Sequence, residues 1–220
     1  MRDGAVEVAV ADLAASQWGL VTSAQAARLG VTRMQLSRLV RSGLLIRLSH
    51  GVHLSRWVGF DEFTDLRAAW LKTDPARTAD ERLAGQLTDV AVSHASAAEL
   101  LDLGSLFPAR LEFTSSRRRQ TRNPAVRLHH RPLAPSEVTT ARGLPVTRPA
   151  RTVLDLLSDH HDGDQVAQIL GEAHDRGILD VRDLAAQLGP LAATYGHPAG
   201  DGAALLEHLF ALAGRRAKSA

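Results

Sequence analysis

Residues 21–54 read VTSAQAARLGVTRMQLSRLVRSGLLIRLSHGVHL. Thr22 and Ser23 are N-cap types that open a short helix running to Leu29, with Ala24, Ala26, Ala27 and Leu29 as small apolar contacts. Gly30 closes it, because glycine enters the left-handed conformation at no steric cost. Val31 packs in the turn. Thr32 caps the next helix, and Gln35 follows at the capping-box spacing. From Thr32 to Ser42, Leu36, Leu39 and Val40 form an apolar stripe of helical period, while Arg33, Gln35, Ser37, Arg38 and Arg41 fall mostly off it. Gly43 stops this helix, and Leu44–Leu48 and Val52–Leu54 are short β-prone runs around Ser49-His50-Gly51. Helix, tight turn, helix and hairpin is the outline of a winged helix-turn-helix, whose second helix lies in the major groove of DNA.

The charges agree with that outline. No acidic residue occurs between Asp12 and Asp61, whereas Arg28, Arg33, Arg38, Arg41, Arg47 and Arg56 all do. A run of charge is more often a solvated face, but soluble surfaces normally mix both signs. Arginine also grips phosphates and guanine edges bidentately, and glutamine can read adenine. The expected base-edge contacts are therefore Arg33, Gln35, Ser37 and Arg38, and the expected phosphate contacts are Arg41, Arg47, His50 and Arg56.

Outward from this stretch, Val6, Val8, Val10 and Leu13 suggest a supporting helix over about residues 5–17, with Trp18 in the core. Val58-Gly59-Phe60-Asp61 reads as a short connection with Asp61 as a helix cap, which places a domain boundary near residue 57 and a second domain over 58–220. The 220 residues, 45% of them apolar, are enough for two small cores or one large one. No apolar run is long enough to span a membrane, and the N-terminus reads as an amphipathic stretch rather than a signal peptide, so a cytoplasmic location is expected. The absence of cysteine excludes disulfides, thiol catalysis and cysteine-ligated zinc.

The net charge of +2 hides a segregation into blocks: +4 over 1–57, −5 over 58–104, +8 over 105–151 and −5 over 152–220. The acidic blocks read as amphipathic helices over 60–72, 79–87, 95–103 and 151–159. In the second basic block, 110–114 and 125–129 alternate with strand period around a polar loop carrying Arg117, Arg118, Arg119 and Arg122. Three roles stay open for that loop: a second phosphate contact, a seat for an acidic protein, or a solvated tip. Residues 137–139 and 145–147 add short strands, giving a small antiparallel sheet within a mainly helical domain. The fold class expected is α+β, predominantly helical.

The segment Gly143-Leu-Pro-Val-Thr-Arg-Pro-Ala-Arg-Thr-Val-Leu-Asp-Leu156 reads as a strand-to-helix junction, with Pro149 in the first turn, Thr147 as cap, and Arg151 and Asp155 able to pair one turn apart. Three further helices are expected over 166–176, 180–188 and 202–213. The apolar face of the last one, Leu205 to Leu212, serves as core or as a partner groove, and Arg215, Arg216 and Lys218 are expected to fray.

Residues 21–54, together with Gly143–Leu156, resemble the AbiEi family of antitoxins from bacterial abortive-infection toxin–antitoxin pairs. The resemblance implies an N-terminal winged helix that binds double-stranded operator DNA at inverted repeats and represses its own operon; the oligomeric state stays open, a monomer that pairs on the repeats being one form. It also implies a C-terminal domain that neutralises a cognate nucleotidyltransferase-like toxin. The wing of that family commonly carries tyrosine where this chain has His53.

Enzymatic readings have less behind them. A nuclease of the restriction-endonuclease type needs clustered carboxylates and usually a lysine, and the one lysine after residue 156 is Lys218. Phosphorylation of the toxin, proposed for some relatives, finds no glycine-rich phosphate loop or kinase catalytic loop here. His160-His161-Asp162-Gly163-Asp164, with His174-Asp175, could hold a metal, but adjacent histidines point to different faces; a helix end with Asp162 or Asp164 as cap fits better. No catalytic residue, metal or cofactor is expected. A plain transcriptional regulator without a toxin remains the rival function.

Overall fold

The computed structural model describes residues 3–215. The chain divides into two compact units at Leu87/Thr88, thirty residues beyond the boundary expected at 57.

The first unit opens with α1 (Asp3–Ala15), β1 (Leu20–Thr22), α2 (Ser23–Arg28) and α3 (Arg33–Arg41), then β2 (Leu45–Ser49) and β3 (Val52–Ser55). The capping box expected at Thr32 forms, and Thr22, expected as a cap, forms a second one with Gln25. Thr22 Oγ1 accepts from Gln25 N at 3.0 Å and Thr32 Oγ1 from Gln35 N at 3.2 Å, and each glutamine returns its Oε1 to the threonine N–H. Gly30, at φ +78°, makes the left-handed turn between α2 and α3. Val6 and Val10 of α1, Ala26 of α2, and Leu36 and Leu39 of α3 meet Val21 and Leu45 in one core. The sheet is antiparallel in the order β1-β3-β2, with a register shift between Arg47 and Ser49. β1 was not anticipated: its three residues, all buried, are too short for an alternating pattern.

Residues 58–87 belong to this unit because buried polar groups reach back into them. Gln17 and Gln25 pair through their amides, Gln25 Nε2 donates to Arg77 O at 2.8 Å, and Ala79 N donates to Gln17 Oε1 at 3.1 Å. Two helices form here, α4 (Thr64–Thr73) and α5 (Ala79–Leu83), both shorter than expected. Arg82 is buried with its guanidinium 3.5 Å from the Trp70 ring centre and bonded to Trp70 O at 2.6 Å. Trp18 is half-buried rather than core, edge-on to Trp70 at 6.2 Å and under Arg67. Asp61 forms a local turn, accepting from Phe63 N at 3.1 Å, and the cap position of α4 is Phe63.

The second unit comprises β4 (Val90–Val92), α6 (His94–Leu100), β5 (Leu111–Ser115), β6 (Val126–His130), β7 (Val138–Ala141), β8 (Leu144–Thr147), α7 (Pro149–Ser158), α8 (Gly163–Asp175), α9 (Leu184–Leu188) and α10 (Gly202–Leu212). Its sheet has the order β6-β5-β4-β8-β7 and is mixed, which corrects the antiparallel expectation. β5 pairs with β6 in parallel, so residues 116–125 cross over instead of closing a hairpin, and β4 pairs in parallel with β8. β7 and β8 form the antiparallel hairpin at the other edge. Pro149 opens α7 as expected, but the cap position is Arg148, and the Thr147 hydroxyl bonds Thr152 Oγ1 at 2.8 Å.

Ala95 and Ala98 of α6 join Val153, Leu156 and Leu157 of α7 and the inner faces of α8, α9 and α10 in the main core. Leu205, Leu206, Leu209 and Phe210 are buried in it, so that part of the stripe is core, whereas Leu212 at its end is exposed. Gly202 allows α10 to approach α9: a Cβ there would lie 2.0 Å from Ala185 O. Arg215 does not fray but pairs with Asp175 at 2.5 Å, whereas Arg216 and Lys218 lie outside the described residues.

Candidate nucleic-acid interface

α3 buries Leu36 and Leu39 and turns Arg33, Ser37, Arg38 and Arg41 to solvent. Its first turn contains no acidic residue, so the positive end of the helix dipole is uncompensated from within and favours an anion. Facing it across a groove of about 410 Å³ are Arg47, His50, Gly51 and His53, and no acidic side chain lines that groove. Arg47 Nη2 stands 3.4 Å from His50 Nδ1 at the tip of the hairpin. Arg56 is exposed, its guanidinium 5.0 Å from the ring centre of Trp57, itself 77% exposed.

Two members of the acid-free window are placed differently. Gln35 is half-buried and spends its Oε1 on the Thr32 N–H, which holds the side chain along the helix start rather than out toward a base. Arg28 pairs bidentately with Glu81 at 2.8 Å, so its charge is neutralised by the acidic segment that follows. Arg33, Ser37, Arg47 and His50 line one groove, and Arg38 and Arg41 are exposed on α3 outside it.

His53 is 7% exposed, with an Nδ1 that no hydrogen bond satisfies among the described residues. Burial, reinforced by the charge of Arg47, pulls its pKa below the ordinary histidine value, and a backbone bond at Val21 offsets only part of this. A histidine held neutral in the fold contributes fully above its unfolded pKa and loses that contribution as pH falls through it. The thermal midpoint should therefore drop as pH is lowered below about 6.5, with a smaller drop in His53→Gln; calorimetry across pH checks both.

Residues 8–54 match the AbiEi antitoxin family, described as a transcriptional regulator. The matched AbiEi segment runs from within α1 to β3 and contains all of α3 and the hairpin. The whole fold is similar to a crystal structure of the RV2827C protein from Mycobacterium tuberculosis, with a TM-score of 0.55 and 17% identity over 96% of this chain and 81% of that one. That likeness is one of fold. No curated protein matches the chain. Among the described residues no helix is long and apolar enough to cross a membrane.

Outside the matched residues, the second unit assembles a polar cluster that sequence reasoning missed. Asp155 is 1% exposed and accepts from Arg151 Nε at 2.9 Å and Arg131 Nη1 at 3.3 Å. Arg151 also pairs with Glu137 at 2.8 Å, and Arg131 with Asp159 at 2.9 Å. Burial outweighs the two arginines and pushes the Asp155 carboxyl up. Next to it, the rings of His94 and His129 stack at 3.6 Å, and His129 Nε2 lies 3.2 Å from Glu112 Oε1. Burial, with His129, Arg131 and Arg127 nearby, holds His94 down to about 2, which keeps its ring neutral. Only the Arg151–Asp155 spacing could be read from the sequence; the other members come from β5, β6 and the residue after it, the turn before β7, the start of α6 and the end of α7.

The cationic crossover keeps three of its four arginines outward. Arg117, Arg118 and Arg122 are exposed, whereas Arg119 folds back onto Asp89 at 2.8 Å and Ser115 Oγ at 3.2 Å. The His160–Asp164 segment is a helix start: Asp162 Oδ1 accepts from Asp164 N at 2.8 Å and caps α8.

Proposed function

We propose that this chain is a DNA-binding repressor and antitoxin, in which the first 57 residues form a winged helix-turn-helix on operator DNA. The observation that carries this is the acid-free groove between α3 and the hairpin tip, rimmed by Arg33, Ser37, Arg47 and His50. Arg33, Ser37 and Arg38 face base edges, while Arg41, Arg47, His50 and Arg56 take phosphates; Gln35 serves the helix start in the free protein. The AbiEi match over 8–54 supports regulation of transcription, and autorepression of a toxin–antitoxin operon is the form of regulation proposed. Opposition to a nucleotidyltransferase-like toxin is assigned to the second unit, whose Arg117, Arg118 and Arg122 offer a cationic surface to an acidic partner.

The phosphate assignment has a quantitative signature. Each phosphate contact that is removed lowers the slope of log affinity against log salt by about one, uniformly across DNA sequences. Arg41→Ala and Arg47→Ala should each show that decrease in anisotropy titrations, and a wild-type slope in both would remove these residues from the interface. Co-expression with the neighbouring gene should relieve its toxicity in the Arg41→Ala/Arg47→Ala protein as in wild type. Toxicity that returns with loss of DNA binding would assign protection to repression instead.

A further inference from the structure

Three side-chain atoms in the second unit, His94 Nε2, His129 Nδ1 and Asp159 Oδ2, come within 4.8 Å of one another. The oxygen lies 3.8 Å from each nitrogen. His94 is 0% exposed, and its Nε2 is buried with no hydrogen-bond partner among the described residues, whereas the buried Asp159 Oδ2 meets the Arg127 guanidinium in an ion pair. The outer atoms of the same side chains are occupied. His94 Nδ1 meets Ser93 Oγ at 2.9 Å, His129 Nε2 meets Glu112 Oε1 at 3.2 Å, and Asp159 Oδ1 accepts from Arg131 at 2.9 Å. This is how metal-binding histidines are held, with one nitrogen hydrogen-bonded and the other lone pair turned to the ion. The His94 backbone sits at φ +54°, a strained value for a non-glycine residue and one that clusters at functional positions.

We propose that His94, His129 and Asp159 bind one divalent transition ion of the zinc class, with water completing its coordination. A point between the three atoms lies roughly 2.2–2.5 Å from each, so shifts of a few tenths of an ångström reach zinc distances. Two features must yield. The imidazole planes are only 13° apart, so one ring turns out of the stack to aim its lone pair at the ion. Arg127, 3.0 Å from Asp159 Oδ2, occupies the place of a cation; its side chain is 49% exposed and can swing into solvent.

The test uses the full chain stripped with chelator, titrated with Zn²⁺ by calorimetry and with Co²⁺ by visible absorption. One ion per chain is expected, with the cobalt bands of a low-coordinate nitrogen–oxygen site. His94→Gln and His129→Gln should each weaken binding by 30-fold or more, on the order of the loss a lost ligand or its support causes. Arg127→Gln should tighten it by about 10-fold, because the cation that competes for Asp159 Oδ2 is removed. Absence of stoichiometric binding to wild type, or binding indifferent to both histidine variants, overturns the site. If the histidine variants do not fold, Arg127→Gln decides: unchanged or weaker affinity overturns the proposal.

Discussion

Exchanging Arg33 and Arg38 together for glutamate should abolish specific DNA binding while leaving the fold intact. Both side chains stand on the solvent face of α3, away from Leu36 and Leu39, which carry its packing. Glutamate at position 33 sits in the first turn, where the helix dipole favours a negative charge, so local helix stability should if anything rise. Each arginine that reads a base edge contributes about 1–3 kcal/mol, and reversal adds repulsion from phosphates, so the pair should lose about 4–6 kcal/mol or ~10³- to 10⁴-fold in affinity. Gel shifts at matched salt, with circular dichroism on the same sample, measure this. A retained shift in the double variant would mean that α3 is not the reading helix.

Removing the carboxylate of Asp155 should be the most damaging single change for stability. It is 1% exposed and faces Arg151 and Arg131, so truncation to alanine strips each guanidinium of its most buried carboxylate and leaves them Glu137 and Asp159 as remaining partners. Breaking a buried pair from one side typically costs about 3–5 kcal/mol. Urea unfolding of Asp155→Ala should show a loss of that size, with DNA binding retained under native conditions. The compensated variant Arg151→Met/Asp155→Leu should recover much of it, since an apolar replacement leaves fewer charges stranded, although Glu137 then loses its partner. A single variant within about 0.5 kcal/mol of wild type would show the cluster to be solvent-screened.

What could be read from the residues was local in origin. Thr22 with Gln25, Thr32 with Gln35, Gly30 and Asp162 act within three or four residues of themselves, so their caps and turns were legible. β1 and β4 were not, because three buried residues in a row carry no alternation, and parallel pairing of β5 with β6 leaves no mark at the crossover. The boundary at 57 followed the reading of Val58–Asp61 as a connection, where the composition also turns from basic to acidic. The same switch lets Arg28 meet Glu81, which draws the acidic segment into the first unit. The residues of the candidate interface could be named from the sequence because α3 and the hairpin tip are adjacent in it; that Gln35 Oε1 also holds the Thr32 N–H is visible in the structure. The His94, His129 and Asp159 cluster was invisible because β6 and the ends of two helices bring it together from positions with no spacing motif.

The central claim, that the groove between α3 and the hairpin holds operator DNA, is tested most directly by fluorescence anisotropy of the wild-type chain. The probes are the DNA upstream of its own gene and a scrambled duplex of the same length and composition, each titrated from low to high salt. The account predicts preference for the upstream DNA by at least ~10³-fold, and a steep loss of affinity with salt on both duplexes. Equal affinity for the two duplexes, or binding that salt leaves unchanged, would contradict it.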